Sequence, residues 1–118
     1  MHNINKLKIW NDSIDLCVEG YKALVNMPMD EKYGLSSQIK RSSVSIPSNI
    51  AEGAGRQSEK EFYHFLNIAY GSAYELQTQL IISERLEFIT YEINRPLLEK
   101  LEEIQKMIYV FKENIKNK

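Results

Sequence analysis

Cysteine is nearly absent from this chain. Cys17 is the single thiol in 118 residues, so no internal disulfide can form. Its apolar neighbours at helical spacing make it a small core hydrophobe in a reducing compartment rather than a nucleophile. Histidine is almost as scarce, with only His2 and His64. The segment Glu61-Phe-Tyr-His64 has the Glu-x-x-His spacing of a di-metal bundle, but such a site needs a second pair and two further carboxylates. No apolar run approaches the ~18 residues of a membrane-spanning helix. The first dozen residues hold no apolar core of a secretory signal, so the expected location is cytoplasmic, with no membrane partner. There is no Gly-x-x-x-x-Gly-Lys loop for phosphates. No Ser/His/Asp or Cys/His constellation presents itself either, because the serines cluster on one segment where small size explains them. The expectation is a protein without catalysis, cofactor, metal or small-molecule substrate.

What is present is ordinary in amount and uneven in placement. The chain is 43% hydrophobic and 26% charged, as expected of one soluble domain over residues 1–118. Net charge is −1, which by itself demands neither nucleic acid nor membrane. Residues 1–56 carry seven cations and six acids, residues 57–103 four and nine, and residues 104–118 four lysines and one glutamate. Acid therefore accumulates in the second half, and a short basic stretch follows it. Such a stretch suits a solvated helix end.

Hydrophobic spacing predicts four helices, at about 8–25, 34–53, 59–85 and 94–116, and no strand, since no alternating run or Asn-Gly hairpin occurs. In the first, Trp10, Ile14, Cys17, Tyr21 and Leu24 step by four and three, which reads as the core stripe; Pro28 follows its end. In the second, Leu35, Ile39, Ile46 and Ile50 form an apolar edge with Ser42 filling the row. Arg41, Ser45, Ser48 and Glu52 form a separate polar edge. Pro47 inside this helix removes a hydrogen bond to the Ser43 carbonyl and predicts a kink, with Ser43, Ser45 and Ser48 near enough to satisfy freed carbonyls. Gly53 and Gly55 suit a left-handed stop. The third helix opens on the capping box Ser58-Glu-Lys-Glu61. It continues through Phe62, Leu66, Ala69, Ala73, Leu76, Leu80 and Ser83. The fourth, beginning between Thr90 and Asn94, carries Leu97, Leu101, Ile104, Ile108, Phe111 and Ile115, and Pro96 predicts either a start near Asn94 or a bent first turn. Short connections make this an all-α, antiparallel up-and-down four-helix bundle. Apolar residues off the stripes, among them Ile9, Val18, Val44, Ile68 and Ile82, suggest burial against another copy.

Many residue types stand at fixed spacing: Trp10, Pro28, Glu31-x-Tyr33-Gly34-Leu35, Gln38, Lys40-Arg41, Ser45-Ile46-Pro47, Asn49-Ile50-Ala51-Glu52-Gly53, Gly55-Arg56, Phe62, Phe65-Leu66, Ala69, Gly71-Ser72, Glu75-Leu76 and Gln79. In these the chain resembles the four-helix proteins encoded in intervening sequences of bacterial 23S rRNA genes. The resemblance is strong from Trp10 to about Ser83 and is carried by pattern alone in the last helix. It implies a ring-shaped homo-oligomer, usually a homopentamer, and no established enzymatic activity. Relatives of this fold include the accessory variability protein of diversity-generating retroelements, which is strongly basic and binds nucleic acid and a reverse transcriptase. The chain departs from the family pattern at Ser42-Ser43, where alanines are common, and at Glu87, where a glycine is usual and a tighter or more helical turn is expected. It is also mildly acidic, which leaves few spare cations for counterion release from phosphates.

The residues singled out lie on the second helix and just beyond it. Lys40, Arg41 and Arg56 form a candidate nucleic-acid site, RNA or DNA, because an arginine fork suits phosphate and a ring would repeat the set in every subunit. Glu52 stands four residues from Arg56, where an ion pair forms if helical geometry persists past Gly53. The plain reading of Glu52, Pro47, Asn49 and Gly53 is structural or interfacial. Tyr63, Tyr70 and Tyr74 read either as packing residues or as stacking platforms for bases. The alternative function is a protein–protein adaptor using the ring surface or the basic segment from Lys106 onward; a metal-dependent bundle enzyme is the remote one.

Overall fold

The computed structural model describes residues 2–117. Four α-helices account for most of it: α1 (Lys8–Ala23), α2 (Leu35–Ala54), α3 (Glu59–Arg85) and α4 (Tyr91–Lys116). Two single 3-10 turns, Ile4–Lys6 and Met29–Glu31, precede α1 and α2. No strand occurs among the described residues. Contacts run α1–α2, α2–α3, α3–α4 and α1–α4, a closed circuit around one core. A 27-residue helix is about 40 Å long at the α-helical rise, and this sets the 45 Å long axis of the molecule.

The third helix forms as its spacing predicts. The Ser58 hydroxyl accepts from the Glu61 amide at 3.1 Å, closing the cap that starts α3. Phe62, Leu66, Ala69, Ala73, Leu76, Leu80 and Ser83 are all buried.

The first helix differs from its predicted register. Its buried residues are Ile9, Ser13, Leu16 and Gly20, continued by Leu24 just beyond its end. Trp10, Ile14 and Cys17 are only half-buried, and Tyr21 is exposed. The inward face is rotated by roughly one residue, or about 100°. Small residues at 13 and 20 leave room for the neighbouring helices on that face, while the larger Trp10–Ile14–Tyr21 row lies at its shoulder.

The second helix runs without interruption through Pro47, which is buried. The nearby hydroxyls do not serve the carbonyl that Pro47 frees. Ser43 donates to the Lys40 carbonyl, and Ser45 shares a hydrogen bond with Ser72. Glu31 caps the start of α2 by accepting from the Leu35 amide at 2.9 Å. Gly34 makes room for this, because a β-carbon there would lie 2.7 Å from the Glu31 carboxylate. The predicted left-handed stop at Gly53 or Gly55 is not formed. No glycine has a positive φ, and Gly55 ends the helix at φ −82°. Gly53 is buried instead because α3 passes so close.

Among the described residues the one positive φ at a non-glycine is at Glu87, at 64°. Glu87 donates to the Glu84 carbonyl and Phe88 to the Ser83 carbonyl, each at 2.9 Å, which is a Schellman stop for α3. The turn at the usual glycine position is therefore left-handed at Glu87, a conformation that glycine adopts without a steric cost. The fourth helix begins at Tyr91, three residues before Asn94, because Thr90 caps it by accepting from the Ile93 amide. Pro96 sits within the helix and removes one hydrogen bond without ending it.

Candidate functional site

On the polar edge of α2, Arg41, Ser48 and Glu52 are exposed while Ser45 turns to α3, and the structure separates the three candidate cations Lys40, Arg41 and Arg56. Arg41 is exposed and makes no ion pair with any described residue. Lys40 lies with its ammonium 5.3 Å from the centre of the Tyr21 ring. Arg56 is committed elsewhere: it pairs with Glu52, and its guanidinium lies 4.8 Å over the Phe65 ring. Helical geometry therefore does persist past Gly53, as the Glu52–Arg56 pairing requires. Arg56 is roughly 20 Å along the helix direction from Arg41, so one protomer does not gather Lys40, Arg41 and Arg56 into a single anion site. The Glu52–Arg56 pair is about half exposed on both sides and contributes little to stability, about 0–1 kcal/mol.

Asn49 and Ser45 form the seam to α3. The Asn49 amide donates to the carbonyl and hydroxyl of Ser45 at 2.8 and 2.9 Å, and Ser45 meets Ser72 at 2.8 Å. Ser42 donates to Gln79 one turn away. These polar side chains are satisfied between the two helices and hold their relative axial position.

The shoulder between α1 and α2 is apolar and uncovered. Val18, Tyr21 and Val25 step by three and four along it and are 48%, 42% and 78% exposed; Val44 of α2 adds a fourth, 40% exposed. Lys40 reaches across it from α2 to the Tyr21 ring, and the far side of α1 is charged, with Asp15, Glu19 and Lys22 turned toward α4. An apolar centre flanked by charged side chains is the arrangement of a protein–protein interface.

A second constellation, across the bundle between α3 and α4, was not assembled by sequence reasoning. Lys112 is buried. Its ammonium lies 5.4, 5.1 and 5.1 Å from the ring centres of Tyr63, Tyr70 and Tyr109. It also donates to Glu113 at 3.2 Å. Three ring faces and a carboxylate replace the water this cation loses. Tyr70 and Tyr74 meet edge to face at 5.2 Å, with their hydroxyls 3.4 Å apart. That hydrogen bond, with burial and the neighbouring phenols, pushes the Tyr70 hydroxyl up to about 12. Below the cage the buried Gln105 donates to Gln77 at 3.0 Å and to the Ala73 carbonyl at 3.5 Å. Tyrosines and lysines at helical spacing were visible on α3 and α4 separately; the register that brings them together was not.

His64 is exposed, edge-on to Phe65, and Glu61 turns back toward Ser58. Among the described residues no group of three or more His, Cys, Asp or Glu is placed to hold a metal ion, and no helix is long and apolar enough to cross a membrane. Cys17 is half-buried, its sulfur 3.6 Å from the Ser43 hydroxyl.

Comparison with known proteins gives a family and closely similar solved structures. The family model described as 23S rRNA-intervening sequence protein matches residues 5–110. Among solved structures, a protein of unknown function of the S23 ribosomal protein family from Bacteroides thetaiotaomicron VPI-5482 is 33% identical. The match covers 87% of this chain and 96% of that one, with a TM-score of 0.79. No curated protein sequence matches the chain.

Proposed function

The chain belongs to the 23S rRNA-intervening sequence protein family, and from that premise we propose that it is a non-enzymatic bundle that assembles with copies of itself and binds RNA. The observation that carries this reading is the uncovered shoulder of α1 and α2, where Val18, Tyr21, Val25 and Val44 stand exposed between charged flanks. A monomer gains nothing from a second apolar row on α1. Burying it against another protomer removes that area from water at roughly 25 cal/mol per Å2. Assembly into a ring, with five copies as the family resemblance implies, also supplies what one protomer lacks. Arg41 has no acidic partner among the described residues, and repetition around a ring places several such cations on one particle. Multivalent phosphate contacts then compensate for a net charge of −1. The family's association with ribosomal RNA genes makes RNA the first ligand to examine.

Native mass spectrometry and RNA anisotropy test the two parts separately. The expected mass is a multiple of 13.8 kDa, reduced to the protomer mass in Val18→Glu/Val25→Glu. RNA binding is expected to weaken steeply between about 50 and 200 mM salt and to fall in Arg41→Ala. A monomer at micromolar concentration would overturn the assembly reading, and the absence of RNA binding at low salt would overturn the RNA reading.

A further inference from the structure

Resting on the RNA reading, we propose that the groove between α3 and α4 seats an unpaired nucleobase. The groove holds about 770 Å3 and is lined by Tyr70, Tyr74, Gln77, Gln105, Lys106 and Tyr109, among others. Its chemistry matches a flat ring with a hydrogen-bonding edge.

The edge would be read by the two glutamines. Both bonds of the Gln105 amide nitrogen go to Gln77 and Ala73. That leaves the carbonyl oxygen of Gln105 and the amide nitrogen of Gln77 without hydrogen-bond partners among the described residues. One free acceptor and one free donor, on two side chains joined by a hydrogen bond, complement a donor–acceptor pair on a base. The tyrosines supply the faces. Tyr74 and Tyr109 are 47% and 49% exposed, so each offers ring surface to a ligand. Tyr70 lies 5.2 Å from Tyr74 and 6.1 Å from Tyr109, centre to centre, so their positions are fixed by one another and by Lys112 beneath. Little conformational entropy is then lost when a base stacks.

Lys106 stands at the lip. Its pairing with Glu102 is at 3.4 Å and largely exposed on both sides, so exchanging that carboxylate for a phosphate costs little. A duplex cannot use such a seat, because its base edges are already paired and its bases are stacked.

The test is a titration of the full chain with uridine and adenosine 5′-monophosphates. It is followed by NMR on the side-chain amide signals of Gln77 and Gln105, with inorganic phosphate as control. In parallel, anisotropy compares labelled single-stranded and duplex RNA against wild type, Tyr109→Ala, Tyr109→Phe and Tyr74→Ala. Nucleotides, but not phosphate, should shift both amides. Tyr109→Ala and Tyr74→Ala should each weaken single-strand binding about tenfold or more, Tyr109→Phe should retain it, and duplex binding should be unaffected. If RNA binds but the alanine variants and the amides are indifferent, the seat is wrong and the RNA reading stands. If RNA fails to bind while nucleotides still shift the amides, the RNA reading falls and the seat survives as a nucleotide site. Shifts equal to those with phosphate alone, or none, overturn the seat.

Discussion

Gly53 lies so close beneath Phe62 that a β-carbon added to it would come within 2.8 Å of that ring. The same atom would meet the Phe65 β-carbon at 2.8 Å and the Phe62 carbonyl at 3.3 Å. A ring can swing aside, but the base of a side chain and a carbonyl on a helix cannot move without α3 moving. Gly53→Ala should therefore destabilise the protein by about 1–3 kcal/mol, despite alanine's better helix propensity. Gly71, also within a helix, is the contrast: a β-carbon there meets nothing within 4 Å. Gly71→Ala should add about 1 kcal/mol. Urea denaturation of the two variants, read by circular dichroism, should move the midpoint in opposite directions.

Glu87 carries backbone strain that its turn does not need. A left-handed conformation costs a residue with a side chain about 1–2 kcal/mol, and glycine's greater freedom in the unfolded chain recovers part of that difference. Glu87→Gly should raise stability by about 0.5–1 kcal/mol, seen as a higher melting temperature. A lower one would mean that the Glu87 side chain makes a contribution larger than the strain.

Lys112 combines a buried stem with a caged charge, and two substitutions separate them. Lys112→Met keeps most of the stem and removes the charge, and should cost about 1 kcal/mol through the lost contacts with three rings. Lys112→Ala also empties the space between Tyr63, Tyr70 and Tyr109, and should cost about 2–4 kcal/mol. Equal losses in a thermal melt would place the whole effect on the charge.

Tyr70 supplies a pH dependence with a definite sign. Its phenol is raised from 10.0 to about 12, first by the hydrogen bond with Tyr74. The folded state thus favours the protonated form. The stability it contributes is fully present below about pH 10 and is lost as pH rises toward 12. In an alkaline ultraviolet titration one tyrosine should ionise last, and Tyr74→Phe should bring it back toward the ordinary range. An unchanged titration would show that the two phenols do not interact.

The elements differed in how far their sequences disclosed them. In α3 every stripe residue is large or flanked by small ones, and the cap is a local motif, so both its limits and its buried face were readable. In α1 the inward face contains Ser13 and Gly20; neither registers as hydrophobic, and the eye goes instead to Trp10, Ile14 and Tyr21. The start of α4 was obscured by Pro96, which reads as a boundary only when Thr90 is not considered as a cap. Gly53 looked like a turn residue because close approach between helices leaves no local mark. The Arg56–Glu52 pair was predictable from the four-residue spacing carried across the end of α2. The cage around Lys112 joins residues more than forty positions apart and depends on the axial offset of α3 against α4, which spacing within either helix does not encode.

The inward face of α1 has a consequence for motion. With serine and glycine between Ile9, Leu16 and Leu24, this rod is fastened to its own bundle by few large side chains. It should be the first to lift away, with its backbone amides exchanging with deuterium ahead of those in α2 and α3. In the proposed assembly, a loosely seated rod whose outer side is also sticky would give neighbouring chains a way to trade partners, with subunit mixing governed by the detachment of α1 rather than by global unfolding.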